Sequence, residues 1–144
     1  MGVAPEVAFD YLVDPVNRPA WQSSLARVEG VTGAPRVGQR WVDVTSPGLR
    51  PAMETTELDR PRRWTEHGTW RRVEAELTLT FTASPGGCEI GYDARVRARG
   101  LLAPVGLLVT RVAPLAVRSD LRRAGRILEG RAPGPTDDRH PTGQ

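Results

Sequence analysis

The stretch from Val73 to Arg99 constrains this chain more than any other, because two alternating runs there fix their own pairing. Val73, Ala75, Leu77, Leu79 and Phe81 are apolar, with Glu74, Glu76, Thr78 and Thr80 between them, the period of two of a strand with one buried face. Ile90, Tyr92, Ala94, Val96 and Ala98 continue the pattern in a second run, alternating with Gly91, Asp93, Arg95, Arg97 and Arg99. Ser84-Pro85-Gly86-Gly87 supplies turn chemistry between them. With those four residues as the loop, Phe81 faces Ile90, Leu79 faces Tyr92 and Leu77 faces Ala94. The opposite face agrees: Glu76 then opposes Arg95 and Glu74 opposes Arg97, charge pairs that a one-residue slip would destroy. The spacing predicts a long antiparallel hairpin, followed at once by a helical stretch from Leu101 to Glu129.

A chain of 144 residues can bury one sizeable core without disulfides or a structural metal. The single cysteine, Cys88, is in phase with Ile90 and reads as a small buried hydrophobe; one thiol allows no internal bridge, which fits a reducing compartment. No charged-then-apolar leader opens the sequence. The most hydrophobic segment, Leu101 to Val117, holds Pro104, Arg111 and Pro114 and falls short of the ~20 apolar residues of a membrane span. The expectation is a cytoplasmic protein with no stable membrane insertion. The net charge is +3, and all twenty basic side chains are Arg, a bias of the kind a GC-rich bacterial genome produces. Basic and acidic residues alternate along the strands, so a solvated mixed surface is expected and no nucleic-acid partner.

Pro5 opens a short amphipathic helix, Pro5 to Leu12, which Asp14-Pro15 breaks; a second helical piece with Pro19 and Trp21 runs to about Leu25. Strand-like stretches follow at Arg27 to Val31, Gln39 to Thr45, Ala52 to Asp59 and Arg63 to Trp70, separated by Gly, Pro and Asp turns. Helices, five or six antiparallel strands and a long last helix make an α+β domain over residues 1–129. In that helix Leu101, Val105, Leu108, Val112, Leu115 and Ala116 lie on one stripe, and Val117, Leu121, Ala124 and Leu128 on another. Pro114 stands where the phase changes, as a bend would require. Residues 130–144 are polar, rich in Pro and Gly and without period, and are expected to be a disordered tail.

Ala4-Pro5-Glu6-Val7-Ala8-Phe9, Asp14-Pro15, Pro19-Ala20-Trp21, Val37-Gly38, Leu58-Asp59-Arg60-Pro61-Arg62-Arg63-Trp64 and the terminal helix, in this order and spacing, resemble the polyketide cyclase/dehydrase and lipid-transport family of the SRPBCC, START-like superfamily. The resemblance covers about Val3 to Glu129. It implies a helix-grip (START/Bet v 1-like) fold, a curved antiparallel sheet wrapped on the C-terminal helix, with an apolar cavity between them for a lipid, polyketide or other hydrophobic small molecule. Such chains carry a strand before the first helix, and here only Met1-Gly2-Val3 precede it. Either the coding start lies upstream or the strand is missing, which leaves the Cys88 to Arg99 strand as an open edge that favours a homodimer.

Motifs for defined chemistry are sparse. His67 and His140 are the only histidines and Cys88 has no neighbour at ligand spacing, so no metal site is expected; neither a phosphate-binding glycine loop nor a serine-nucleophile motif points to a cofactor or a hydrolase. Tyr92 shares the apolar face of Ile90 and Ala94, and is either a ligand contact or a core residue with a satisfied hydroxyl. Trp64, Glu66, Gly68 and Trp70 share one face of a strand; if the tryptophans point inward, Glu66 does too and His67 points out. A carboxyl group in an apolar cavity has a raised pKa and can serve as a general acid or base. The facing of Trp41, Asp43 and Glu54 stays open, and His67 is the candidate base under the opposite parity. Arg111, Arg118 and Arg122 read as a solvated stripe, and Leu108 and Val112 are chosen for the cavity wall.

Two functions follow. One is a binding or transport module for a hydrophobic molecule, with Trp64, Glu66, Trp70, Leu79, Tyr92, Leu108 and Val112 as ligand contacts. The other is a cyclase, aromatase or dehydratase of the same fold, using Glu66 or His67 as base and Tyr92 as hydrogen-bond donor.

Overall fold

The hairpin forms in the register that its charges dictate. The computed structural model describes residues 1–131, apart from the side chains at positions 105, 107–110 and 112. Strands β5 (Val73–Ser84) and β6 (Gly87–Ala98) pair with Phe81 opposite Ile90, Leu79 opposite Tyr92 and Glu76 opposite Arg95; Ser84 and Gly87 also pair, so Pro85-Gly86 alone makes the turn. Gly86 sits at φ +80°, a conformation that side chains disfavour. The turn before β5 is tight as well. Arg71-Arg72 alone joins β4 (Arg63–Trp70) to β5. Arg71 takes a left-handed φ of 53° with its guanidinium 4.8 Å over the Trp70 ring, and the Arg72 carbonyl accepts the Arg99 N–H at 3.1 Å.

With β1 (Leu25–Glu29), β2 (Arg40–Thr45) and β3 (Ala52–Asp59), these strands form one antiparallel six-stranded sheet in sequence order. Bulges fall between Leu25 and Arg27 and between Thr55 and Glu57, where added twist helps the sheet curl into a half-barrel. At the β6 edge the Met1 ammonium donates to the Cys88 carbonyl at 3.0 Å, and the Cys88 N–H donates back to the Met1 carbonyl at 2.9 Å. Antiparallel alternation then turns the N–H and C=O groups of Ile90, Tyr92, Ala94, Val96 and Ala98 to the same open side. No strand among the described residues pairs there. Cys88, 2 % exposed, is the buried hydrophobe its phase implies.

Helix α1 (Pro5–Val13) starts on a proline suited to a first turn and buries Ala8, Phe9, Leu12 and Val13. A 3-10 turn, Pro15–Asn17, capped by the Asp14 side chain accepting from the Val16 N–H at 3.0 Å, leads into α2 (Arg18–Trp21). That second helical piece ends at Trp21, short of Leu25. A 3-10 turn, Gly100–Leu102, then enters α3 (Ala103–Arg131), which runs through Pro114 and two residues past Glu129. Its second stripe packs, with Ala124 and Leu128 buried and Leu121 partly so. The described members of its first stripe do not: Leu101 is 97 % and Leu115 69 % exposed. The outcome is the α+β helix-grip arrangement, with its packed core at the α1 end, where the Phe9 and Phe81 rings meet edge to face at 5.1 Å. No helix among the described residues is long and apolar enough to cross a membrane. Residues 132–144 of the expected tail lie outside the described residues.

Candidate ligand cavity

Alternation in two strands sends two acids into the interior. On β2 Trp41 and Asp43 are both buried, and on β4 Trp64, Glu66 and Gly68 are buried while Thr69 is exposed. Asp43 and Glu66 therefore approach the concave side from strands separated by β3. Arg18, at the head of α2 and only 1 % exposed, reaches between them: Nη1 donates to Glu66 Oε2 at 2.5 Å and Nη2 to Asp43 Oδ2 at 2.9 Å. Trp41 Nε1 donates to the other Asp43 oxygen at 2.9 Å, and the guanidinium lies 5.5 Å from the Trp41 ring centroid. One cation thus ties α2 to two strands of the sheet.

This cluster carries one positive and two negative charges in a place of low dielectric. Burial pushes the Glu66 carboxyl up from the ordinary glutamate range; Arg18 opposes the rise and the Asp43 charge adds to it. Burial alone would lower Arg18, but Glu66 and Asp43 together hold it above the usual arginine value, so it stays charged. Asp43 has both oxygens engaged by donors, whereas Arg18 takes up only one oxygen of Glu66. Two buried polar atoms beside the cluster have no partner: Arg18 Nε and Gln22 Oε1.

These groups form the polar wall of a cavity of about 270 Å³ between the sheet and α3. Met53, Trp70, Leu77, Ala94 and Val96 from the sheet, and Ala113 and Val117 from α3, supply apolar wall. The volume is near the lower end of the roughly 300–1,000 Å³ of small-molecule sites. A larger depression of about 620 Å³, lined by Met1, Cys88, Leu121, Arg122 and Glu129, opens to solvent beside the β6 edge and holds none of the three buried charges. The smaller space is the candidate site because the three buried charges of Arg18, Asp43 and Glu66 border it beside the apolar wall.

The residues singled out from sequence divide. Glu66 and Trp70 line the cavity. Trp64 and Leu79, both 0 % exposed, belong to the packed core and are not among the lining residues; Trp64 Nε1 donates to Thr55 Oγ1 at 3.2 Å. Tyr92 is drawn away as well, its hydroxyl donating to the Pro114 carbonyl at 3.2 Å and accepting from Arg118 Nε at 2.9 Å. His67 lies opposite Glu76 on the alternate face of β4, in a shallow polar cleft with Glu74, Arg95 and Arg97. Leu108 and Val112 fall within α3, but their side chains lie outside the described residues. Arg18 and Gln22 were missed. The available signal was the pair of acids on otherwise apolar faces, which demands a buried cation, and Arg18 is the one arginine between the first helix and the first strand.

The fold recurs widely among solved structures. A conserved protein from Geobacillus kaustophilus superposes with a TM-score of 0.69 at 15% identity, covering 90% of this chain and 91% of that one. Ara h 8.0201 gives 0.69 at 15% identity over 89% and 91%, and a Chromobacterium violaceum protein 0.64 at 14% over 90% and 92%. At these identities the likeness carries the fold alone. No curated protein matches the chain. A family model described as polyketide cyclase / dehydrase and lipid transport does match, over residues 2–132, and the chain belongs to that family.

Proposed function

We propose that this chain binds a hydrophobic small molecule in the cavity between the sheet and α3, with the Arg18, Asp43 and Glu66 cluster meeting its polar end. The observation that carries this reading is the meeting of an apolar wall with the buried Arg18, Asp43 and Glu66 cluster at one cavity. Apolar burial at ~25 cal/mol per Å² drives association, and the polar wall fixes orientation. Native mass spectrometry of the protein purified without detergent, set against its denatured mass, tests the proposal. A discrete non-covalent adduct of a few hundred daltons that is displaced by added apolar ligand supports it. A clean mass that stays clean after incubation with a panel of lipids and aromatic polyketide-like compounds overturns it.

A cyclase or dehydratase of this fold is the second reading, and it rests on Glu66 alone. The raised pKa of a carboxyl group lining the cavity suits proton transfer to or from a bound substrate. His67 faces the other side of the sheet and the Tyr92 hydroxyl is engaged elsewhere, so neither supports it.

For association the reading takes a second copy of the chain as partner at the open β6 edge. An antiparallel pair centred on Ala94 uses the whole stretch from Ile90 to Ala98 and sets Asp93 of each copy opposite Arg95 of the other.

A further inference from the structure

We infer that the hydrophobic molecule bound in this cavity carries a cationic amine head, received by the free oxygen of Glu66. The inference rests on the cavity reading above and narrows it to a chemical class. It comes from the charges of the polar wall. Arg18 supplies one positive charge and Asp43 and Glu66 two negative ones, so with both acids ionised the cluster keeps one negative charge unbalanced. The other charged residues lining the cavity, Glu76 and Arg95, stand opposite each other across β5 and β6 and cancel. From α3 come Ala113 and Val117, so no described side chain on that wall offsets the excess. The excess also has a definite atom. Both Asp43 oxygens are engaged, by Arg18 and by Trp41 Nε1, and Glu66 Oε2 is engaged by Arg18. Glu66 Oε1 has no partner among the described residues and, unlike Arg18 Nε, is not sealed from solvent.

An unbalanced carboxylate is costly in a place of low dielectric, and a cation answers it in a way that a neutral donor cannot. An alcohol or a carboxamide can donate one hydrogen bond to Oε1 and leaves the charge as it was. An alkylammonium donates the same bond in charge-assisted form and brings the cluster with its ligand to zero. A carboxylate raises the excess to two negative charges. Arg18 repels an incoming cation, but its one charge is outnumbered by the two acids. The molecule as a whole pulls the other way: a net charge of +3 gives anionic probes the general attraction, so a preference for cations must arise at a local site.

Isothermal titration with two series of probes that vary the head group tests this: octylammonium, octan-1-ol, octanamide and octanoate, then naphthalen-2-ylmethylammonium, naphthalen-2-ol and naphthalene-2-carboxylate. In each series the cation is expected to bind at least about tenfold more tightly than the neutral compounds, with the carboxylate weakest. Burial raises the Glu66 carboxyl, with Arg18 opposing the rise and Asp43 adding to it, while an alkylammonium stays charged through pH 8 as a lysine side chain does. The cation competes with the Glu66 proton, so octylammonium affinity should climb from pH 5 to pH 8. Glu66→Gln removes the excess charge, leaves Arg18 paired with Asp43 and should erase both the preference and its pH dependence, with folding checked by circular dichroism. A neutral or anionic probe bound as tightly as the cation, a cation preference that survives Glu66→Gln, or an octylammonium affinity flat with pH overturns the head-group assignment while the cavity reading stands. Where Glu66→Gln does not fold, the head-group order and pH profile of the parent decide. If no probe of either series binds, the cavity reading itself fails and this inference falls with it.

Discussion

Replacing Arg18 with Met removes the only cation from the buried cluster and keeps most of the side-chain volume. Asp43 and Glu66, 3 % and 4 % exposed, are then left in the interior with no opposite charge. Breaking a buried ion pair from one side costs about 3–5 kcal/mol, a large part of the roughly 5–15 kcal/mol that stabilises a domain. For a domain of this size that corresponds to a fall in Tm of roughly 10–20 °C. The deficit should depend on pH with a definite sign. Glu66 already has a raised pKa in the folded protein, and losing Arg18 raises it further because Arg18 is the influence that lowers it. A raised folded pKa stabilises the fold below the ordinary glutamate value, and that contribution disappears as pH rises through the folded value. The difference between Arg18→Met and the parent should therefore be larger at pH 8 than at pH 5, measured by urea titration with circular dichroism. Adding Asp43→Asn and Glu66→Gln to Arg18→Met takes away the unbalanced charges and should restore more than half the loss at pH 8. A deficit below about 1 kcal/mol and flat with pH would refute the reasoning, since it would mean that water already screens the cluster.

Gly68→Ala places a Cβ 2.7 Å from Met53 Sδ, the far end of a flexible side chain that lines the cavity beside it. The methionine should yield into the space, so affinity for naphthalen-2-ol falls severalfold in calorimetry while Tm changes little; unchanged affinity would remove this part of the wall. Tyr92→Phe deletes the hydroxyl that joins β6 to Pro114 and Arg118, which should cost about 1 kcal/mol in urea titration and leave ligand affinity intact. A loss of affinity with stability unchanged would return Tyr92 to the ligand site. At the β6 edge, Arg95→Asp would set like charges face to face in the proposed pair, so light scattering at high protein concentration should read a dimer for the parent and a monomer for the variant. A monomeric parent would dismiss the pairing.

Alternation made the sheet readable. The hairpin register followed from which residues shared a face, and the sharing of one face by Trp64 and Glu66 was enough to tie their directions together. Face is not depth, however. Trp64 and Trp70 lie on the same side of β4, yet the first is sealed into the core near α1 and the second reaches the cavity; period two does not say how far along a strand the packing closes. Tyr92 shows the same limit, because its hydroxyl finds its partners on α3, 22 and 26 residues away. Arg18 carries no mark of its own in the sequence, for a different reason, and only the two acids point to it. It sits in a four-residue helix between breakers, where no periodicity marks a buried side, and an arginine there reads as solvated by default. Its partners stand 25 and 48 residues along the chain, so only the folded sheet brings the charges together.

The cluster also gives direction to the way such a chain can change over generations. Three residues on three elements share one balance of charge, and the substitutions that dismantle it are not interchangeable in order. Exchange of Glu66 for a neutral residue leaves Arg18 still paired with Asp43, whereas exchange of Arg18 first strands two acids together. A lineage adapting this cavity to a different ligand would therefore shed the acids before the arginine and acquire the arginine before the acids. Among relatives, an arginine at the position of Arg18 should occur without one of its acids far more often than both acids occur without the arginine.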